Sequence, residues 1–331
     1  MVEATDPLYD KILNDTGITP QSVNYENHTR IIGLVKLDSV DFKKEFDKLM
    51  STYKPFSDFS KEEVVIGKEA LQQKYLNLFP KYKGLEKYNL AFIQKSYTTN
   101  TRAFCEKLSD YLETKQSNCK VIYGKGIEEF IMYDDESKKH LVKGVRISGD
   151  KDIVECDAVV MCAGSFIARL LKQNFGLICP VIPVKGYSFD MPTDTPSHGL
   201  HLQFKSEAFV ATNYKEGVWR IAAFGDLSGQ DKSFDPRRVR YLKNIVADLM
   251  DKNEAHNYIN LSTCLRPTPP DDIPIVGPLK FYPNVYLNAG HAGRGTTLGL
   301  GTSKLVAELL MEGKASVVDD PKPYLPGRFQ L

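Results

Sequence analysis

Residues 284–310 read NVYLNAGHAGRGTTLGLGTSKLVAELL, and they carry the clearest structural signal in the chain. A strand-like run is followed by five glycines between Gly290 and Gly301 and then by an amphipathic helical pattern. Glycine is favoured where a backbone must come very close to another group without a side chain in the way. The stretch therefore predicts a strand-loop-helix unit whose loop lies against a ligand. The N-terminus of the helix would favour negative charge on that ligand.

A second strand-turn-helix pattern lies upstream, in CDAVVMCAGSFIARLL at residues 156–171. A buried apolar strand that ends in Ala163 and Gly164 and continues into a helix is typical of an open α/β sheet. The preceding segment, TTNTRAFCEKLSDYLETKQ at 98–116, has Thr and Asn capping candidates and one apolar face, which predicts a helix. After that helix we expect a short strand containing Val121 and then a hairpin.

From Pro180 onward the pattern changes to strands that alternate with turns. The four strand-like runs are PVIPVKGYSFDMP, GLHLQF, AFVATNY and VWRIAAFGD. With no helix between them, they predict an antiparallel sheet. A helix at 237–250 and an irregular connection at 261–278 lead back to the glycine loop. In the N-terminal part the patterns predict helices at 8–17, 38–50 and 67–82 and strands at 29–37 and 89–97.

Composition narrows the class of partner. Lys and Arg number 43 against 42 Asp and Glu, and the net charge of +1 gives no electrostatic reason to expect nucleic acid or an anionic membrane surface. Six scattered cysteines without CxxC or zinc-ligand spacing predict reduced core residues, and hence an intracellular protein, cytoplasmic or mitochondrial. No apolar run is long enough for a membrane helix. His198 and His201 lack a third ligand, so no metal site is expected.

Four stretches together resemble the FAD-dependent D-amino-acid oxidase and dehydrogenase superfamily, most closely the D-amino-acid dehydrogenases of the small-subunit type. They are residues 156–171, 180–192, 265–278 and 284–310. The third, LRPTPPDDIPIVGP, is similar to the family's LRP-x-TPDG-x-PIVG segment. The resemblance extends from about Leu8 and is most specific after Leu261.

The resemblance implies an α/β fold in which an incomplete, Rossmann-like FAD-binding domain is intertwined with an antiparallel-sheet substrate domain. Residues 1–95 would belong to the substrate domain and 96–179 to the FAD domain. Residues 180–260 would form the antiparallel substrate sheet. Residues 261–331 would return to the FAD domain with the flavin-covering loop and the final helix, which we expect to begin near Thr302.

The resemblance also implies roles for individual residues. Arg266 would form a bidentate pair with a substrate carboxylate, a geometry that suits guanidinium, and Tyr187 would help to hold it. The residues that would bind the cofactor are Val121, Ala163, Gly164, Gly290, His291, Gly293, Arg294, Gly295, Thr296 and Thr297. A purely structural role remains an alternative for three of these features. The glycine turn would then serve tight packing, His291 would be a structural histidine, and Tyr187 would be a buried sheet tyrosine.

The implied reaction is oxidation of a D-amino acid or a related amino acid. The Cα hydride would pass to the flavin and leave an imino acid that hydrolyses, with most of the rate coming from positioning.

The sequence departs from the family in one respect. It contains no GxGxxG, and the nearest match, Gly124-Lys-Gly126, is followed by Glu128 and Glu129. That motif holds the FAD pyrophosphate on a helix N-terminus, so we expect these 331 residues alone to bind FAD weakly or not at all. Two hypotheses follow: an oxidoreductase truncated or split at its N-terminus, completed by another chain, or a non-catalytic structural subunit of a larger assembly, possibly mitochondrial.

Overall fold

The computed structural model describes residues 2–35, 63–66, 69–70, 73, 82–88, 90–194, 200–204 and 207–331. The strands are β1 Glu26–Val35, β2 Glu63–Ile66, β3 Leu90–Thr98, β4 Ile127–Met132, β5 Val142–Ile147, β6 Ile153–Glu155, β7 Val159–Met161, β8 Ile182–Pro192, β9 Leu200–Phe204, β10 Phe209–Lys215, β11 Val218–Asp226, β12 Ile259–Thr268, β13 Ile275–Pro278 and β14 Val285–Ala289. The α-helices are α1 Val2–Thr16, α2 Thr101–Lys115, α3 Ile167–Phe175, α4 Pro236–Leu249, α5 Lys252–His256 and α6 Gly295–Glu312.

An eight-stranded sheet, in the order β12-β8-β11-β10-β9-β1-β3-β2, forms the larger layer. Its neighbours pair antiparallel except β1 and β9, which run parallel. Because side chains alternate across a strand, β8, β9, β10 and β11 each direct one set of side chains to the core and the other to the opposite side. The sequence expectation of an antiparallel sheet after Pro180 is confirmed.

Helices α4 and α5 cover one face of this sheet. Tyr187 and Phe189 of β8 and Trp219 of β11 are buried there in one cluster with Leu242 and Val246 of α4. The opposite face carries the polar side chains at the even-numbered positions of β8 and β12. That face is free to border a cavity.

Two smaller sheets complete the fold, β13-β14-β7 and β4-β5-β6. In the first, β14 and β7 run parallel while β13 and β14 run antiparallel. Helix α3 packs on one face of it, where Leu171 and Leu287 share a buried cluster, and α6 packs on the other, where Leu305 and Val276 do. Helices on both faces of a sheet with parallel strands make an α/β layer, so the predicted α/β class is confirmed.

Several elements differ from the sequence expectations. The connection predicted to be irregular after residue 261 contains β12, which pairs with β8 as far as Thr268. The chain therefore leaves the large sheet at Thr268, while the division into domains otherwise stays a prediction. Helix α6 begins at Gly295, seven residues before the expected start at Thr302. Its glycines lower helix propensity, but Leu298 and Gly301 are buried, and tertiary packing outweighs propensity.

The N-terminal and cysteine expectations are met in part. Strands at 29–37 and 89–97 and helices at 8–17 and 98–116 are confirmed as β1, β3, α1 and α2. The helix predicted at 38–50 and most of the one predicted at 67–82 lie outside the described residues. All six cysteines are free, as expected. Their expected core position is wrong for the three that are exposed, Cys105, Cys162 and Cys264. Within the described residues, no helix combines the length and apolar content that a membrane span needs.

Candidate functional site

A cavity of about 930 Å³ lies between the open face of the large sheet and the glycine loop. Its floor comes from even-numbered positions of β8, β11 and β12, including Ser188, Arg220 and Arg266. Its other side comes from Gly293, Arg294, Thr296 and Thr297. The sheet that follows Pro180 and the loop that follows β14 therefore meet around one space.

The parallel pairing of β7 and β14 brings the two glycine turns to the same edge. Val159 aligns with Val285 and Met161 with Leu287, so Ala163 and Gly164 follow β7 where Gly290 follows β14. Carboxyl ends of parallel strands are where open α/β sheets bind ligands. Gly164 has φ +54° and no atom within 4 Å of the position a Cβ would occupy, so this turn is bare backbone.

Arg266 enters the cavity from β12 and lies flat on a glycine. A Cβ built on Gly186 would stand 2.5 Å from the Arg266 Nη2 and 2.6 Å from its Cζ. Nη1 donates a hydrogen bond to the Phe224 carbonyl. Among the described residues no carboxylate pairs with this half-buried guanidinium. The remaining N–H groups are therefore available to an anionic ligand.

The Phe224 carbonyl reaches Arg266 because β11 is irregular at that point. The register between β11 and β8 shifts between Ala223 and Asp226, and Phe224 has φ +67°. A positive φ is unfavourable for a phenylalanine, and such strain is concentrated at functional sites. The irregularity turns the carbonyl toward Arg266 while the ring packs edge-on against Tyr187 on the helix-covered side.

The glycine loop is tied to the segment that follows β12. The Ala292 N–H donates to the Pro267 carbonyl at 2.9 Å, and Arg294 forms an ion pair with Asp272 at 2.7 Å. Gly290, with φ +80°, lies so close to Pro269 that a Cβ would stand 3.1 Å from its Cγ. Gly290 and Arg294 therefore position the loop, which favours the tight-packing reading for these two of the predicted cofactor residues.

The first turn of α6 opens onto the cavity. Arg294 occupies the N-cap position and forms no side-chain capping bond. Thr296 and Thr297 border the cavity from this turn. The positive end of the helix dipole favours a partly negative group at this end of the cavity.

His291 has a structural role in this arrangement. Its Nε2 lies 2.8 Å from the Oγ1 of the buried Thr302, whose own hydroxyl donates to the Gly299 carbonyl at 3.0 Å. Thr302 Oγ1 therefore accepts from His291, which places a proton on Nε2. Burial lowers the pKa of His291, because desolvation disfavours the charged imidazolium. A neutral histidine here joins the loop to α6, in agreement with the structural reading.

Two predicted site residues present no side-chain group to Arg266, although Tyr187 belongs to the cavity lining. The Tyr187 side chain is 1% exposed, and its hydroxyl oxygen accepts from the Asp235 N–H at 3.2 Å. Odd positions of β8 face the helices, so this hydroxyl is directed away from Arg266, and the buried sheet tyrosine is the better reading. Val121 is absent from the described cavity lining, and the strand predicted around it does not form.

The structure also shows a polar cluster that the sequence patterns did not single out. Arg220, Asp190 and Ser188 lie together on the open face of the sheet, with Arg220 Nη1 2.9 Å from Asp190 Oδ1 and Nη2 3.0 Å from Ser188 Oγ. A partial signal exists in GYSFDMP, where the polar residues Ser188 and Asp190 stand two positions apart, whereas Arg220 has apolar neighbours at positions 218 and 222. A period of two indicates which side chains of a strand share a face, but not which strands pair. The cluster therefore becomes apparent only when the register between β8 and β11 is known.

The residues around the cavity fit a flavin ring. A Cβ on Gly293 would have only the Arg266 Cδ, at 3.9 Å, within contact distance, and one on Gly295 only the His291 Cβ, also at 3.9 Å. A flat ring can approach bare backbone of this kind closely, and the uncapped first turn of α6 suits the partial negative charge of its pyrimidine edge. Gly293, Gly295, Thr296 and Thr297 are the residues that would hold it.

Comparison with known proteins gives a family and a fold. The model of a family described as FAD dependent oxidoreductase matches residues 28–309. L-proline dehydrogenase from P. horikoshii superposes with a TM-score of 0.76 at 17% identity, covering 99% of this chain and 82% of that one. Glycine oxidase from Geobacillus kaustophilus gives 0.76 and 19%, with 97% and 80% covered. L-amino acid deaminase from Proteus vulgaris, lacking its specific insertion, gives 0.70 and 16%, with 100% and 78% covered. At such identities the structural likeness shows the fold alone.

Proposed function

The chain belongs to the FAD-dependent oxidoreductase family, and from that premise we propose that it oxidises an amino acid, a D-amino acid or a related carboxylate-bearing amine, in the cavity beneath the glycine loop. Two of the similar structures, a glycine oxidase and an L-amino acid deaminase, act on amino acids by name and support this substrate class. The proposal assigns the sheet face to the substrate and the loop side to the cofactor.

The position and the free N–H groups of Arg266 are the main support for this proposal. Its guanidinium borders the cavity, has no carboxylate partner among the described residues, and is oriented by the Phe224 carbonyl and by Gly186. Guanidinium binds carboxylates through two parallel N–H···O bonds, and each charge-assisted bond is stronger than a neutral one. An oriented arginine without a countercharge is therefore suited to a substrate carboxylate.

The positions of Arg266 and the glycine loop indicate how the substrate would be oriented for the reaction. Arg266 holds the carboxylate at the sheet, so the substrate's Cα faces the glycine loop. Bound FAD supplies the acceptor for the hydride that leaves Cα. Holding the reacting atoms together provides a large part of the rate.

The cofactor's pyrophosphate end requires a further unit. No GxGxxG occurs among the 331 residues, and that motif is what places a pyrophosphate on a helix N-terminus. We propose that residues outside this sequence, in the same protein or in a second chain, supply it. If the protein instead proves inactive within a larger assembly, the structural-subunit hypothesis replaces this one.

The function is tested by dye reduction with FAD-loaded protein, completed by the unit that binds the pyrophosphate, and a panel of D- and L-amino acids. Arg266→Lys keeps the charge but loses the bidentate geometry. We expect it to raise KM for the best amino acid by at least about tenfold, since a hydrogen bond to a charged group contributes roughly 1.5–3 kcal/mol. Arg146→Lys, on the exposed β4–β5 sheet, is the control and should leave KM unchanged. An unaltered KM in Arg266→Lys would contradict the proposal.

A further inference from the structure

A row of polar side chains crosses the cavity floor beyond Arg266. Thr212 of β10 aligns with His201 of β9 and with Arg220 of β11, and Arg220 aligns with Asp190 of β8. Because residues aligned across strands share a face, these four side chains lie side by side on the open face of the sheet. Of the four, His201, Thr212 and Arg220 border the cavity. The proposed function leaves this row without a role.

Asp190 is the anchor of the row rather than its binding group. Its side chain is 3% exposed, and its carboxylate accepts from Arg220 at 2.9 Å, from Asn260 at 2.9 Å and from the Tyr214 hydroxyl at 3.3 Å. Three donors leave this buried carboxylate well satisfied, so it has little tendency to bind a further group. Its function in the fold is to hold the Arg220 guanidinium in one orientation.

Arg220 is the group that the row presents to the cavity. Its side chain is 41% exposed, and Asp190 and Ser188 each take one of its donors, which leaves others free in a guanidinium with five. Beside it lies the Thr212 hydroxyl, 2.7 Å from His201 Nδ1. The exposed part of the row is therefore rich in donors, while its one carboxylate is buried.

The spacing between the two arginines can be read along β8. The Arg266 guanidinium lies on Gly186, and the Arg220 guanidinium reaches Ser188, two residues further along the same face. Two residues of a strand span about 7 Å. The floor between them includes the small apolar side chain of Ala222. The cavity thus offers one guanidinium at each end of a short apolar span.

We propose that Arg220, held by Asp190 and flanked by Thr212, binds a second, terminal carboxylate of the substrate, so that the cavity selects amino dicarboxylic acids. This inference rests on the proposed function, because it assigns the first carboxylate to Arg266. A side chain that ends in an ammonium group would meet the Arg220 guanidinium and be disfavoured. An apolar side chain would leave the free donors of Arg220 without acceptors, which is also unfavourable.

Isothermal titration calorimetry on the FAD-supplemented protein tests the inference with two acids of equal length. Glutarate carries a carboxylate at both ends, and valerate carries one. We expect glutarate to bind at least about tenfold more tightly than valerate, which corresponds to a difference of about 1.4 kcal/mol. Equal affinities would overturn the inference.

The variants are chosen so that no charge is left buried alone. Removing only Arg220 would strand Asp190 without its countercharge, so both are neutralised in Asp190→Asn with Arg220→Gln. This pair should reduce the preference for glutarate to about twofold or less, in line with the loss of a charged donor. The control neutralises an exposed pair on the β4–β5 sheet, Glu129→Gln with Arg146→Gln, whose members lie 3.2 Å apart. The control should keep the preference.

Thr212→Val provides a second variant that keeps the ion pair, and it should lower the preference for glutarate by a smaller factor. A preference that survives in both variants overturns the inference. The affinity for valerate separately reports on Arg266, since Arg266→Lys should weaken both acids in proportion. The ratio of the two acids therefore tests Arg220, and the absolute affinity tests the proposed function.

Discussion

Arg266 is oriented by a neighbour that has no side chain. The ideal Cβ position on Gly186 is 2.5 Å from the Arg266 Nη2, closer than real carbon atoms approach a nitrogen without a bond, so the guanidinium occupies space that any other residue would fill. Here glycine is required for close approach, since Gly186 lies in regular strand β8 and does not have a positive φ. The position of the proposed carboxylate site thus depends on a residue within a strand, outside the glycine loop that the sequence singles out.

Gly186→Ala should impair substrate binding more than folding. The new methyl group would displace only the end of a flexible side chain, which costs little stability, but it would move the guanidinium from its orientation. We expect KM to rise by about tenfold while Tm falls by no more than a few degrees, as for a modest destabilisation in a protein of this size. Gly327→Ala, which has no atom within 4 Å of the added Cβ, is the matched control. A large fall in Tm with unchanged KM would show that Gly186 serves packing alone.

At the scale of elements, α6 links the cavity to the C-terminal segment. Its first turn borders the cavity, and its last turn holds the chain that follows through Glu308, whose carboxylate accepts from Lys304 Nζ at 2.7 Å and from the N–H groups of Ser316 at 2.7 Å and Val317 at 3.1 Å. Burial raises the pKa of Glu308, but these hydrogen bonds outweigh it and lower the pKa to about 2. The ionised form is therefore favoured by folding.

Glu308→Gln should destabilise the protein in a pH-dependent way. A carboxyl whose folded pKa lies below its unfolded value stabilises the fold above the unfolded pKa and loses that effect as pH falls toward the folded value. We expect the wild type to exceed the variant by about 1–3 kcal/mol in the free energy of unfolding at pH 7, from lost charge-assisted bonds. The difference should shrink from pH 5 toward pH 3. Urea denaturation at both ends of that range measures it, and a constant difference would argue against the assigned role.

At the scale of the whole molecule, one side of the small sheet is left without a pairing partner. Among the described strands, β7 pairs only with β14, and the side chain of Val160 on β7 is 38% exposed. An open strand edge with exposed apolar side chains is a surface that proteins normally pair or cover. This edge adjoins the turn at Ala163 and Gly164, which the resemblance counts among the cofactor-binding residues.

The 331 residues purified alone should therefore be colourless or hold FAD weakly. The glycine loop and the first turn of α6 can contact the isoalloxazine end only, whereas a pyrophosphate needs a glycine turn at a helix N-terminus of the GxGxxG kind. The visible spectrum near about 450 nm, where bound flavins absorb, measures the occupancy. A stoichiometric flavin band would contradict this expectation and would show that another element of the chain binds the pyrophosphate.

Local patterns in the sequence were enough for the elements and the family. Alternation and helical spacing predicted β1, β3, β14, α2 and α3 because those signals depend on neighbours within a few residues. The pattern LRPTPPDDIPIVG and the glycine loop carried the family resemblance, and the family model that matches residues 28–309 bears it out. The identities of Arg266 and of the loop glycines as residues of interest also came from these short segments.

Tertiary structure alone decided which of these residues share a space. The pairing of β12 with β8 joins residues 69 to 86 positions apart, and the register of that pairing, not any local pattern, lays Arg266 on Gly186. The register between β11 and β8 places Arg220 beside Ser188, and the packing of β8 directs Tyr187 to the helix-covered face. A two-residue period shows that side chains alternate between the faces of a strand. It does not show which face packs against a helix and which face borders a cavity. Only packing of the whole sheet resolves that choice, because burial is a property of the assembled layers.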